Sequence, residues 1–253
     1  MIYVLGGNGF VGSAFIRYLE KQEEEFVNIT RENYIDYVDT SCDLFINANG
    51  NSKRFLAEKS PLEDFDMNVK NALQTTLHFD IKRYLLISSV DVYHNPSQSL
   101  CTREDKTIQP EFLSNYGLSK YLTECVIRKH ANDWMIFRVG GMVGENMTKG
   151  PVYDIMNDVD LFVNPDSRYQ FINTDQVADI VLNTKGKNEI FNVCATSNMP
   201  LRRIFYMLGK EPKLNKKPLH KYNVDNWKIS EQFRIETTGQ ILEKFFKEKG
   251  IYA

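Results

Sequence analysis

The sequence predicts an α/β fold, a doubly wound parallel sheet with a small C-terminal lobe. Three observations predict it. Short apolar runs alternate with amphipathic helical stretches through the first two-thirds of the chain. A glycine-rich turn follows the first of those runs directly, at residues 6–12. After about residue 140 the alternation yields to Gly and Pro punctuation, with Gly140, Gly141, Gly144, Gly150, Pro151 and Pro165. Strands separated by helical stretches form βαβ units, and such units build a parallel sheet covered on both faces.

The strand-like runs are 2–5, 26–29, 43–46, 83–87 and 134–137. Each is short, apolar and rich in β-branched or aromatic residues. Between the first two lies a helical stretch, 13–21, with Val11, Phe15 and Leu19 spaced i, i+4, i+8 on one side. Leu118, Leu122 and Val126 repeat that spacing before the fifth run and predict the buried stripe of a later helix. Further on, 174–182 reads as a helix and 189–193 as a strand. The tail holds two helical stretches, 201–208 and 237–249, around a Lys-rich polar segment, 210–221. The expected division is a sheet domain over 1–139, to which the chain returns at about 168–195. A smaller lobe forms from 140–167 and 196–253.

Composition narrows the function. The 253 residues carry 31 Lys+Arg against 33 Asp+Glu, a formal charge of −2, which argues against a nucleic-acid binder held by bulk positive charge. No apolar run reaches the length of about 18 residues that a membrane span requires. The opening MIYVLGGNGF has neither a basic segment nor a small-residue cleavage site, so no signal peptide is expected. Cys42, Cys101, Cys125 and Cys194 form no CxxC pair, which fits a reduced, cytoplasmic protein. His78, His94, His130 and His220 lie without ligand spacing or a Cys partner, so no metal site is expected.

The turn reads Gly6-Gly7-Asn8-Gly9-Phe10-Val11-Gly12 between a strand and a helix. Glycines at 6, 9 and 12 suit a dinucleotide turn. They allow a tight bend and let main-chain amides approach a pyrophosphate at the positive end of the helix. Such a Rossmann turn expects an acidic ribose ligand about 20 residues later, at the end of the second strand. Thr30 and Arg31 stand there instead. An uncharged hydroxyl does not repel a 2′-phosphate, and the Arg31 fork can pair with it, so NADP(H) is favoured over NAD(H). Glu32 is the rival ribose contact, which keeps NAD(H) open.

Tyr116 and Lys120 stand four apart on a helical stretch and so share one face. A nearby ammonium favours the phenolate and lowers the Tyr pKa. The fourth strand-like run ends in Ser88-Ser89, and ligands of open α/β sheets lie beyond the carboxyl ends of the strands.

In this order the motifs resemble those of the extended short-chain dehydrogenase/reductases, NAD(P)-dependent epimerases, dehydratases and keto-reductases of nucleotide sugars. The resemblance covers most of the chain. It rests on the Gly turn, with Leu5 where Thr is usual, and on the segment from Asp43 to Gly50, where Asn47 replaces the usual His. Further motifs are Asn68-Val69, the strand end Ser88-Ser89-Val90-Asp91-Val92-Tyr93, Tyr116-x-x-x-Lys120, the segment from Arg138 to Gly144 and the segment from Gln170 to Ala178. It implies Ser89, Tyr116 and Lys120 as catalytic residues. Tyr116 would exchange the hydroxyl proton, Ser89 would hydrogen-bond the same oxygen, and Lys120 would bind the nicotinamide ribose. The implied cofactor contacts are Gly6, Gly9, Phe10, Val11, Gly12, Thr30, Arg31, Asn47, Ala48, Asn49, Ser88, Tyr116, Lys120 and Val139.

The substrate is expected to be a sugar or nucleotide sugar gripped by Asp91, Asn146, Lys149, Arg168 and Gln170. Val90 stands where a dehydratase of the family needs an acid, which disfavours dehydration. Reduction of a keto sugar is the preferred reaction, ahead of epimerisation, with a non-catalytic dinucleotide-binding module as the remaining alternative. The resemblance also implies a homodimer formed through the Tyr116 helix.

Overall fold

The computed structural model describes residues 1–213 and 216–251. Its centre is a six-stranded parallel sheet. In chain order β1 is Ile2–Leu5, β2 Phe26–Ile29, β3 Ser41–Asn47, β4 Asp80–Ser89, β5 Trp134–Val139 and β9 Glu189–Val193; in space the order is β2-β1-β3-β4-β5-β9. Ile2 lies beside Phe26 on one flank and Leu44 on the other, so the glycine turn leaves the middle of the sheet. The doubly wound sheet expected from the sequence is present.

Period-two alternation sorts the strand side chains onto two faces. Val4, Ile46, Leu85 and Ile87 join Phe15 and Leu19 of α1 (Gly12–Lys21) and Val177 and Val181 of α7 (Thr174–Asn183) in one core. Tyr3, Leu5, Phe45, Tyr84 and Leu86 join Ala72 of α4 (Asn71–His78) and Ile127 of α5 (Asn115–His130) in the other. Between β3 and α4 run α2 (Arg54–Lys59), α3 (Pro61–Phe65) and a π-helical stretch, Asp66–Lys70. The link from β2 to β3 contains only a single 3₁₀ turn, Tyr34–Tyr37.

Several element bounds differ from the sequence reading by a few residues, and two of the differences have a clear physical reason. β4 begins at Asp80 rather than 83, because ladder pairing with Ser41 and Cys42 extends it through polar positions that an apolar run cannot reveal. The buried face of α5 is not the stripe Leu118, Leu122 and Val126, which is half-buried. It is Tyr116, Ser119, Lys120, Thr123, Glu124 and Ile127. Polar groups line that face because the site and an internal ion pair lie beneath it.

Beyond β5 the chain forms β6 (Gly141–Val143), α6 (Pro151–Met156), β7 (Arg168–Tyr169) and β8 (Phe171–Asn173). After β9 come β10 (Met199–Pro200), α8 (Leu201–Met207), α9 (Trp227–Ser230) and α10 (Thr238–Glu248). β6 pairs with β8 in parallel and β7 with β10 antiparallel. The first core continues into this part through Leu201, Ile229, Leu242 and Phe246. Thr237, the expected first residue of the last helix, is its N-cap, in a capping box with Gln240. Of the Lys-rich segment 210–221, residues 214–215 lie outside the described residues. All four cysteines are free.

Candidate active site

The glycine turn is closed too tightly for side chains. Gly6 has φ +85°, and a Cβ there would lie 2.9 Å from the Asn49 main chain; one on Gly12 would strike the Gly6 carbonyl oxygen. No side chain caps the start of α1; the Ser13 and Ala14 amides donate to the Gly9 and Val11 carbonyls (2.9 and 3.1 Å), and the turn presents its main chain, bare of side chains at Gly6, Gly9 and Gly12, at the positive end of the helix. A pyrophosphate fits this cradle.

At the end of β2, Thr30 donates its amide to Asn33 Oδ1 (2.7 Å), and Asn33 Nδ2 donates back to the Asn28 carbonyl (3.0 Å). Arg31 and Glu32 project from this braced corner, both exposed. The Thr30 hydroxyl, with a smaller contribution from Arg31, holds the Glu32 carboxyl below the usual range.

The end of β3 is braced as well. Asn47 donates to the Tyr84 hydroxyl (2.7 Å) and accepts the Asn49 amide (3.0 Å), while Asn49 Nδ2 donates to Asn71 Oδ1 (3.0 Å). The Ala48 amide donates to the Leu5 carbonyl (3.0 Å). Asn47 therefore spends its side chain on the protein and shapes the site from behind.

Ser89 ends β4 beside Val139 of β5. Its hydroxyl accepts the Asp91 amide (3.2 Å). Ser114 caps α5 by accepting the Gly117 amide (3.2 Å), which sets Tyr116 in the first turn. A Cβ on Gly117 would strike the Asp91 carbonyl oxygen, so the helix start is seated directly on the Ser89–Asp91 turn. The structure thus gathers Ser89, Tyr116 and Lys120 at the carboxyl end of β4. Lys120 Nζ stands 5.8 Å from the Tyr116 ring centroid.

Burial raises the Tyr116 phenol pKa, with Asp91 adding to the effect; the Arg54 guanidinium and the Ser89 hydroxyl oppose it. This corrects the sequence reading, in which Lys120 is the opposing cation. Lys120 itself is 8% exposed, and burial pulls it down to about 8, against the pull of Asp64 and Glu124.

Ser88, expected at the cofactor, turns the other way. Its hydroxyl donates to Glu124 Oε1 (2.6 Å). Glu124 and Arg138 form a fully buried ion pair (2.7 Å), and Arg138 Nη1 also donates to the Tyr93 hydroxyl (2.8 Å). Tyr93 in turn donates to Asn192 Oδ1 (2.9 Å). Every charge in this network is paired, as burial demands. Ser88 and Arg138 fix α5 to the sheet beneath the site.

On the open side, Asp91 is gripped by Arg54 Nη2 (2.6 Å) and by the Tyr222 hydroxyl (2.8 Å). Arg54 lies over the Tyr222 ring, which stacks on Tyr169. Sequence reasoning missed Arg54, Tyr169 and Tyr222; they come from three distant segments and no motif marks them. The other expected substrate residues scatter. Asn146 is exposed at φ +61°. Lys149 donates to the Ser52 hydroxyl (2.7 Å), and Arg168, exposed, to Asn198 Oδ1 (3.0 Å). Gln170 is committed elsewhere: its Nε2 donates to the Ala195 and Val224 carbonyls and its Oε1 accepts the Val224 amide. That leaves it no polar atom to offer a sugar. Among the described residues no group of three His, Cys, Asp or Glu could hold a metal ion, and no helix is long and apolar enough to cross a membrane.

A model of the NAD dependent epimerase/dehydratase family matches residues 2–194. No curated protein matches the chain. Among solved structures, it is similar to UDP-glucose 4-epimerase of Thermotoga maritima solved with UDP-glucose, at 17% identity over 98% of this chain and 99% of that one, TM-score 0.71. It is similar to dTDP-4-dehydrorhamnose reductase of Bacillus anthracis in complex with NADP, at 15% identity over 98% and 97%, TM-score 0.76. It is also similar to a tyrosine-to-phenylalanine mutant of UDP-glucuronic acid 4-epimerase of Bacillus cereus, in complex with a fluorinated UDP-glucuronic acid and NAD, at 16% identity over 98% and 99%, TM-score 0.77.

Proposed function

Since the chain belongs to the NAD dependent epimerase/dehydratase family, we propose that it reduces a keto group of a nucleotide-linked sugar, with Ser89, Tyr116 and Lys120 at the reacting carbon. The observation that carries this reading is the convergence of those three side chains at the end of β4, two strands from the glycine turn of β1, with β3 between. A bound nicotinamide dinucleotide supplies the hydride. Tyr116 gives its hydroxyl proton to the oxygen of the reduced carbonyl. Ser89 donates a hydrogen bond to that oxygen and stabilises its growing charge. The Lys120 ammonium holds the cofactor ribose, and the Arg54 guanidinium offsets the negative charge left on Tyr116.

NADP(H) is the cofactor of choice in this reading, supported by exposed Arg31 at the braced corner after β2. One observation favours epimerisation on NAD instead: Glu32 is held as a carboxylate by Thr30 at the same corner, where it can accept a ribose hydroxyl. The four free cysteines support a cytoplasmic setting. The half-buried apolar stripe of α5 and exposed Leu77 of α4, a helix packed against α5, support a homodimer.

The test is incubation of the protein with NADPH or NADH deuterated at carbon-4 of the nicotinamide and a panel of UDP- and dTDP-linked 4-keto sugars, and in parallel with NAD and UDP-hexoses. A reductase gives a sugar carrying deuterium and consumes cofactor. Epimers formed from UDP-hexoses without net cofactor use favour the second reading, and neither product removes both.

A further inference from the structure

The π-helical stretch between α3 and α4 bears on Lys120. Such widened turns recur at functional sites, and this one carries Asn68. Asn68 Nδ2 donates to the Asp64 carbonyl oxygen (2.9 Å) and to Asp64 Oδ1 (3.0 Å). Its own Oδ1 is buried without a hydrogen-bond partner. Gly50, at φ +122°, shows where that oxygen points. A methyl there would strike Asn68 Oδ1 and would stand 3.1 Å from Lys120 Nζ, so both atoms border one small space.

Asp64 is 1% exposed. Its carboxylate accepts from Asn51 Nδ2 (2.6 Å) and from Asn68 Nδ2, both neutral amides. Among the described residues no cation hydrogen-bonds it. A carboxylate so buried needs a compensating charge nearby. The charged groups that act on Lys120 are Asp64, from α3, and Glu124, from α5 itself; the neutral Tyr116 phenol ring, on the same helix, lies 5.8 Å from Nζ. Glu124 is already neutralised by Arg138 and by the Ser88 hydroxyl. The charge left over on each side is Asp64 and Lys120.

We propose that Asp64 is the buried counter-ion of Lys120, a positioning residue that acts through Asn68 to keep the ammonium charged and aimed at the site. The pairing is indirect, with the Asn68 side chain between the two charges. Its coupling is a property of the protein alone; the consequence for turnover rests on the role given to Lys120 above.

The experiment follows the Lys120 side chain by NMR in protein labelled at lysine carbon-ε, with the resonance assigned by its loss in Lys120→Met. Asp64→Asn keeps the size and the hydrogen-bonding amides in place but removes the charge. It is expected to lower the Lys120 titration midpoint by about one unit, as removal of a neighbouring opposite charge does, and Asp64→Glu should keep it near the wild-type value. An unchanged midpoint in folded Asp64→Asn overturns the proposal.

Thermal unfolding of Lys120→Met, Asp64→Asn and the double variant gives a second reading that survives poor folding of either single variant. Coupled charges predict a double variant more stable than the sum of the single losses; additive losses overturn the pairing. The pH profile of kcat/KM separates this idea from the assigned function. If the midpoint moves but no sugar reaction is found, the pairing stands and the function fails. If turnover is found with an unmoved midpoint, the function stands and the pairing fails.

Discussion

Arg54, which follows β3, and Asp91, which follows the neighbouring β4, meet at 2.6 Å at the sheet's carboxyl end. The pair acts on the Tyr116 phenol in opposite senses, Asp91 raising its pKa and Arg54 lowering it. Removing Arg54 therefore leaves the carboxylate free to disfavour the phenolate. Arg54→Gln is predicted to lower kcat about tenfold or more, each pKa unit being about 1.4 kcal/mol. It should also move the activity profile to higher pH. Steady-state kinetics across pH check this, and an unchanged profile removes Arg54 from the site's electrostatics.

Tyr116→Phe keeps the ring and loses the proton. A positioned acid–base group is worth roughly 10²–10⁴-fold, so kcat is predicted to fall by about that factor. Cofactor affinity, followed by quenching of Trp fluorescence, should change little. Normal turnover by Tyr116→Phe would falsify the assigned role.

Arg31→Ala tests cofactor choice. If the guanidinium reads a 2′-phosphate, KM for NADPH rises about tenfold or more while KM for NADH stays put, as expected for loss of a charge-assisted contact. A larger effect on NADH from Glu32→Gln would instead identify Glu32 as the ribose ligand.

Glu124→Ala strands Arg138 in the core. Breaking a buried pair from one side costs about 3–5 kcal/mol, so a marked fall in Tm is predicted. The joint change Glu124→Leu with Arg138→Met should recover much of it. A Glu124→Ala protein as stable as wild type by calorimetry would show that the buried network contributes nothing.

Lys120 also makes stability depend on pH. Its pKa is about 8 in the folded chain against 10.5 for a free lysine. Between those values the unfolded chain binds more protons, so stability rises with pH across that window. Below about 8 the full cost of the buried ammonium is present, of order 3 kcal/mol. Lys120→Met is predicted to flatten this rise between pH 8 and 10. Equal slopes in the two proteins, measured by denaturant unfolding, would refute the shift.

The sequence by itself determined the sheet and its glycine turn, because strand alternation and a turn too tight for a Cβ are local demands on neighbouring residues. Gly6 and Gly12, the end of β4 at Ser89 and the one-turn spacing of Tyr116 and Lys120 are all local in this sense. Only the tertiary structure decided which face of α5 is buried, that Ser88 and Gln170 serve the framework, and that Arg54, Asp64 and Tyr222 stand at the site. Arg54 and Tyr222 lie far apart in the chain, and each meets Asp91 through contacts that no periodicity encodes. Burial supplies the physical reason: a charge or a hydroxyl withdrawn from water takes whatever partner the fold brings near, and that partner is set by packing rather than by sequence distance.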